Sequence, residues 1–319
     1  MRLINPILPA GASDPWMTCH EGWYYYVEAV NQQRGISIRR SQTIAEIGHD
    51  NGVLVWQAPK AGKNCHALRG PELHFTGGKW FIYYSADDGR EETRRMWALE
   101  SEGNNPLGTY VCRGVIPTDG WAADGTVLAL NDHRMFFAWS GWAGVKGGRQ
   151  NLYIAPMTDS VTTSGPRVLL CEPTESWEQA GVPVCEAPHF LRHNGQIFIV
   201  YSASGSFTAD HCLGLLQNLS GDLLNPKAWQ KRGPVFERSE KVWGVGHACF
   251  VKSPAQNEDW MIYQAKTETQ IGWSDRDIHA KPFVWTANGL PDFGTPPLRG
   301  QFRNFREPEF SAPILPMAA

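Results

Sequence analysis

"KWFIYYSADD" (residues 79–88) is a run of aromatic and branched side chains entered from Gly77 and Gly78, the pattern of a strand that follows a tight turn. Four other segments share its character: "GWYYYVEAV" (22–30), "RMFFAWSGW" (134–142), "QIFIVYSASG" (196–205) and "DWMIYQAK" (259–266). They recur every 55 to 63 residues or so, roughly the size of a propeller blade of four strands and their loops. Turn-forming residues precede each one: Gly22, Gly78, Asn131 with Asp132, Asn194 with Gly195, and Asn257. Helical character is confined to short pieces at 176–181 and 225–229. The chain therefore reads as all-β, a five-bladed β-propeller, with residues 1–319 forming one domain and 298–319 a C-terminal extension past the last blade.

Composition narrows the function. With 42% hydrophobic and 19% charged residues the chain can bury a large core, and a net charge of −3 provides no basic field for nucleic acid or anionic membrane. A neutral small molecule is the expected partner; the composition is silent on oligomeric state. The seven cysteines are scattered singly, are odd in number and include no CxxC pair, which predicts seven unpaired thiols in a reducing compartment. Prolines at 6 and 9 interrupt the N-terminus before a signal-length apolar run can form, so the expected location is cytoplasmic.

Some 8 to 13 residues before each aromatic segment, where its hairpin partner should lie, stands an ionisable residue: Asp14 in "SDPWM", Glu72 in "GPELHF", Asp124 in "AADGTVL", Glu186 in "CEAPHF" and His247 in "GVGHACF". The innermost strand of each propeller blade lines the central channel, so five such positions converge on the axis. An isolated acid before a strand is usually a turn former. Carboxylates crowded in a channel lose hydration and repel one another, an arrangement suited to general acid and base work. No HExxH, GxxxxGK[ST] or GxSxG motif is present, and the ten histidines show no zinc-ligand spacing. Among the tryptophans, Trp16 shares a strand face with Asp14 and is the best candidate for stacking on a sugar, with a packing role as its alternative.

Taken together, these segments resemble glycoside hydrolase family 43, five-bladed propeller enzymes that cleave arabinofuranosides and xylosides with inversion. The resemblance runs from "NPIL" and "SDPW" through "PELH…GKWFIYYSADDG", "WAADGTVL" and "CEAPHFLRHNGQIFIVYSASGS" to "GVGHACF…DWMIYQAK" and "VWTANGLPDFGTP". It implies Asp14 as general base, Glu186 as general acid and Asp124 as the acid that orients Glu186 and raises its pKa. It also implies Trp16, Glu72, His247 and Arg276 as substrate contacts, and allows a structural calcium near the propeller axis that His247 reaches through water, with no cofactor required. "FFAWSGW…GRQNLYIA" and "YSASGSFTADHCLGLL" are most similar to arabinofuranosidase members. The expected activity is release of terminal α-L-arabinofuranose from oligosaccharides or aryl glycosides; a β-xylosidase and a non-catalytic sugar-binding propeller are the alternatives. The chain departs from the family's usual residues at Arg69, Gly70, Cys185, Ala187, His279 and Lys281.

Overall fold

The computed structural model describes residues 2–304 apart from 145, 146 and 256, so residues 305–319 of the expected extension lie outside the described residues. A short strand, β1 (Arg2–Ile4), precedes the first blade: β2 (Trp16–His20), β3 (Trp23–Val30), β4 (Gly35–Ser41) and β5 (Val53–Gln57). Blade two holds β6 (His66–Thr76), β7 (Lys79–Asp87), β8 (Arg95–Ser101) and β9 (Tyr110–Val115). Blade three holds β10 (Ala122–Ala129), β11 (Met135–Trp142), β12 (Gln150–Asp159), β13 (Thr162–Thr163) and β14 (Val168–Cys171). Blade four holds β15 (Cys185–His193), β16 (Gln196–Ala203), β17 (Cys212–Asn218) and β18 (Trp229–Phe236). Blade five holds β19 (Trp243–Lys252), β20 (Asp259–Lys266), β21 (Arg276–Trp285) and β22 (Pro291–Asp292), and β23 (Phe302–Asn304) follows it. Each blade is an antiparallel meander, and the only helical pieces among the described residues are short 3₁₀ turns, two of them at Ser176–Glu178 and Pro226–Ala228.

The five aromatic segments are the second strands, β3, β7, β11, β16 and β20. They lack a polar/apolar alternation because every blade is packed between two others, which buries both faces of its inner strands. In β7 all residues from Trp80 to Asp87 are buried. Facing side chains form the blade interfaces: Tyr26, Ile82 and Ile262 share one core cluster, Tyr83 and Phe137 another, Ile154 and Ile199 a third, and Val200 and Met261 a fourth.

The ring is closed by the segments that flank the five blades. Before entering blade one, the chain runs beside β21: Ile7 N–H donates to Ile278 O (2.7 Å) and Gly11 N–H to Arg276 O (2.8 Å). The Asn5 side chain bonds both the N–H and the C=O of Ala280 (2.8 and 2.9 Å). Arg299, at the start of the extension, bonds the buried Asp277 carboxylate (2.8 and 2.9 Å), and β23 pairs with β1.

One backbone feature recurs in all five blades at the channel level. A left-handed residue stands in or just before the innermost strand: Asp14 (φ 54°), Gly70 (52°), Asp124 (51°), Ala187 (48°) and His247 (44°). In blades two to five the strand pairing breaks register there, between Arg69 and Glu72, Ala123 and Thr126, Glu186 and His189, and Gly246 and Cys249. Such bulges re-aim side chains away from the pleat. They also correct the expected ring: blade two contributes Gly70 at the repeated position, and Glu72 lies two residues deeper in the strand.

Candidate active site

Asp14, Asp124, Glu186, His247 and Arg276 line one pocket of ≈ 590 Å³ at the mouth of the channel. Four blades supply them, through the strand openings just described and the start of β21. The Asp14 carboxylate faces His247 Nδ1 and Arg276 Nη1, both at 3.6 Å from Oδ1. Its own N–H donates to Gln264 Oε1 (3.2 Å), which also accepts from Arg276 Nη1 (3.2 Å). The His247 backbone N–H donates to Ser202 Oγ (2.7 Å), tying blade five to blade four beneath the site.

These surroundings divide the acids. Burial pushes Asp14 up, but the charges of His247, Arg276 and Arg69 and the Gly70 N–H outweigh it, so Asp14 lies below the ordinary aspartate value and is ionised. Burial, with the neighbouring Asp124 and Asp14, pushes Glu186 up to about 8. Asp124 is raised by burial and by Asp14, against the lowering effect of His247. Near neutral pH the pocket therefore offers one ionised and one protonated carboxyl group, a base and an acid in the same cavity. Gly70 makes room for this: a Cβ built there would stand 3.0 Å from Asp124 Oδ1.

Two expected sugar contacts do not line the pocket. Trp16 is buried, its indole 4.6 Å from the His74 ring and 4.7 Å from that of His189, and its Nε1 donates to Leu73 O (3.0 Å). The turn between Asp14 and β2 directs the two side chains differently, so strand alternation does not relate them. Glu72 is buried beside His74, 2.8 Å from its Nε2, and burial raises its pKa well above the usual range. Both belong to the channel beneath the pocket.

Calcium fits poorly. His247 faces Asp14, which Arg276 also faces, and among the described residues no group of three His, Cys, Asp or Glu ligand atoms gathers around His247, so the protein alone does not supply the ring of oxygen donors such a cation needs. Among the described residues one cluster brings three ligand atoms within 4.8 Å, the buried Cys171, Glu178 and Cys185. Its carboxylate is already engaged by Tyr201 Oη (2.7 Å) and Lys231 Nζ (2.8 Å), so it does not fit a metal either.

Apart from Arg69, which the sequence reading marked as a departure from the family, the walls were missed. Gln33, Arg69, Glu91, Arg94, Trp121, Phe207 and Trp273 also line the pocket. Arg94, only 1% exposed, bonds Asp87 (2.5 Å), Glu91 (2.9 Å) and Ala67 O (2.9 Å) and makes that wall rigid. Trp273 stands outside any strand in the loop "QIGWSD" (270–275), and a lone indole in such a loop was the available signal.

The sequence pattern of glycosyl hydrolases family 43 matches residues 3–291. The chain is 32% identical to an extracellular exo-α-(1→5)-L-arabinofuranosidase of Streptomyces avermitilis, over 97% of this chain and 67% of that one. It is 31% identical to α-L-arabinofuranosidase 43 of Humicola insolens, over 93% of this chain and 64% of that one, and so spans about two thirds of both relatives. A crystal structure of an α-L-arabinofuranosidase from Lactobacillus brevis superposes with a TM-score of 0.87 at 29% identity, covering 95% of this chain and 98% of that one. The extracellular relative overturns the expected cytoplasmic location. All seven cysteines are free, but four of them, Cys171, Cys185, Cys212 and Cys249, are buried. Burial shields such thiols from oxidants, even where Cys171 Sγ and Cys185 Sγ lie 3.6 Å apart, so their unpaired state does not report the compartment.

Proposed function

Because the chain belongs to glycosyl hydrolases family 43, we propose that it is an inverting exo-acting α-L-arabinofuranosidase in which Asp14 is the general base and Glu186 the general acid. The observation that carries this reading is the opposite displacement of the two pKa values within one pocket. Asp14, ionised, takes a proton from a water on one face of the anomeric carbon. Glu186, protonated, donates to the departing glycosidic oxygen on the other face as the C–O bond breaks and charge develops on the ring. Single displacement by water inverts the anomeric centre. His247 and Arg276 hold Asp14 in its ionised form, and Asp124 helps Glu186 keep its proton until the leaving group demands it. The names of the relatives support arabinofuranose as the glycone. The test compares kcat/KM for 4-nitrophenyl α-L-arabinofuranoside and 4-nitrophenyl β-D-xyloside, with NMR of the first-formed sugar. A ratio of at least about tenfold for the arabinoside with inversion is expected; a preference for xyloside, or retention, refutes the assignment.

A further inference from the structure

The mechanism leaves one charged group of the pocket without a task. Arg69 lines the pocket, is exposed, and its guanidinium has no hydrogen-bond or ion-pair partner among the described residues. The other two guanidinium groups of the pocket are engaged: Arg94 by Asp87, Glu91 and Ala67 O, and Arg276 by Trp273 O, Gln264 and Asp14. Nor do the nearby carboxylates consume Arg69, since Asp14 is held by His247 and Arg276 and Glu91 by Arg94. Its backbone is fixed on the wall, because Arg69 pairs with Ser85 of β7, whose hydroxyl donates to Arg69 O (3.3 Å), and the adjacent Gly70 is left-handed.

Depth separates what each wall can touch. The sugar that is cleaved off must lie at Asp14, whose side chain is 17% exposed, so an exposed side chain at the mouth meets what extends outward, the leaving group. Trp273 is another exposed side chain of the lining, beside Glu91, whose carboxylate Arg94 holds, and Val182. It is 61% exposed, lies edge-on to Phe207 (5.1 Å) and donates from Nε1 to Ser206 Oγ (3.3 Å), so its indole is braced while its surface stays open. An open indole suits the C–H face of a sugar ring. An unpaired planar guanidinium suits a carboxylate, which it matches at two points, whereas a neutral hydroxyl gains little from a full charge.

We propose that Arg69 and Trp273 form a leaving-group subsite for a carboxylate-bearing sugar, so that the enzyme removes arabinofuranose linked to a uronosyl residue. This rests on the arabinofuranosidase reading above. The ring of the uronosyl unit lies on Trp273 and its carboxylate pairs with Arg69, while the arabinofuranose occupies the acids below.

The experiment uses two α-L-arabinofuranosides of the same shape that differ by one charge, the 3-carboxyphenyl and 3-carbamoylphenyl glycosides, at pH 6 and low salt. The wild-type enzyme is expected to favour the carboxylate in kcat/KM by about tenfold, as a charge-assisted pair supplies, and to lose the preference in high salt. Arg69→Gln should bring the ratio to about one and Arg69→Lys should keep part of it. Reading the ratio cancels any effect of Arg69 on the catalytic acids, which both substrates share. A wild-type ratio near one, or a ratio that Arg69→Gln leaves in place, overturns the subsite while the arabinofuranosidase reading stands. Failure of the wild type to cleave either glycoside overturns both.

Discussion

Removal of the Glu186 carboxyl should separate substrates by the quality of their leaving group. With its pKa near 8, Glu186 is roughly 99% protonated at pH 6 and roughly 10% at pH 9, so wild-type cleavage of an arabino-oligosaccharide should fall about tenfold per pH unit above 8. A sugar hydroxyl is a poor leaving group and needs that proton. In Glu186→Ala, kcat/KM for the oligosaccharide should drop by about 10² to 10⁴, the usual worth of a positioned acid. A 2,4-dinitrophenyl arabinofuranoside, whose phenolate departs unaided, should lose no more than about tenfold, and its profile in this variant should lack the alkaline limb near pH 8. Asp14→Ala should impair both substrates alike, because water must be activated in either case. The assay is steady-state kinetics of both substrates from pH 5 to pH 10. Equal losses on both substrates in Glu186→Ala, or an alkaline limb that persists in it, would refute the assignment of acid and base.

The same carboxyl carries a stability consequence. Its folded pKa is raised to about 8 from an ordinary 4.5, so the folded chain keeps a proton that the unfolded chain releases, and stability from this group declines as pH rises from about 4.5 through 8. Glu186→Gln, which is neutral at every pH, should therefore melt above the wild type at pH 8.5 by an amount worth about a few kcal/mol, the gain vanishing near pH 4; a constant offset across that range would contradict the linkage. Gly70→Ala places a Cβ 3.0 Å from Asp124 Oδ1 on a left-handed backbone, so it should cost about 1 to 2 kcal/mol of stability in urea unfolding and lower kcat more than it raises KM. Unchanged kcat would mean that the Asp124 carboxyl is not confined there.

The blades were legible because each buries an aromatic second strand on both faces, a pattern that survives in sequence even where loops differ. Asp14, Asp124 and Glu186 were legible for a related reason: Asp14 and Asp124 occupy the repeated position ahead of those strands, and Glu186 directly precedes it at Ala187. Glu72 and Trp16 show where that reasoning stops. A left-handed residue shifts which side chain faces the channel by one or two places, and no single residue type announces it, since Asp, Gly, Ala and His all occupy the position. The pocket walls were less legible still, because Arg69 and Trp273 line it from a strand and a loop whose position depends on the assembled ring.

The ring closure has a consequence for the base. Asp14 stands three residues beyond Gly11, the last residue of the N-terminal segment bonded to β21, and β21 begins with Arg276, the partner of Asp14. The proposed general base is thus mounted on the clasp of the propeller, whereas Asp124 and Glu186 stand within the blades themselves. Local opening of residues 5–11 from β21, an event most folds tolerate at an edge, would here displace the proposed base while the other blades remain intact.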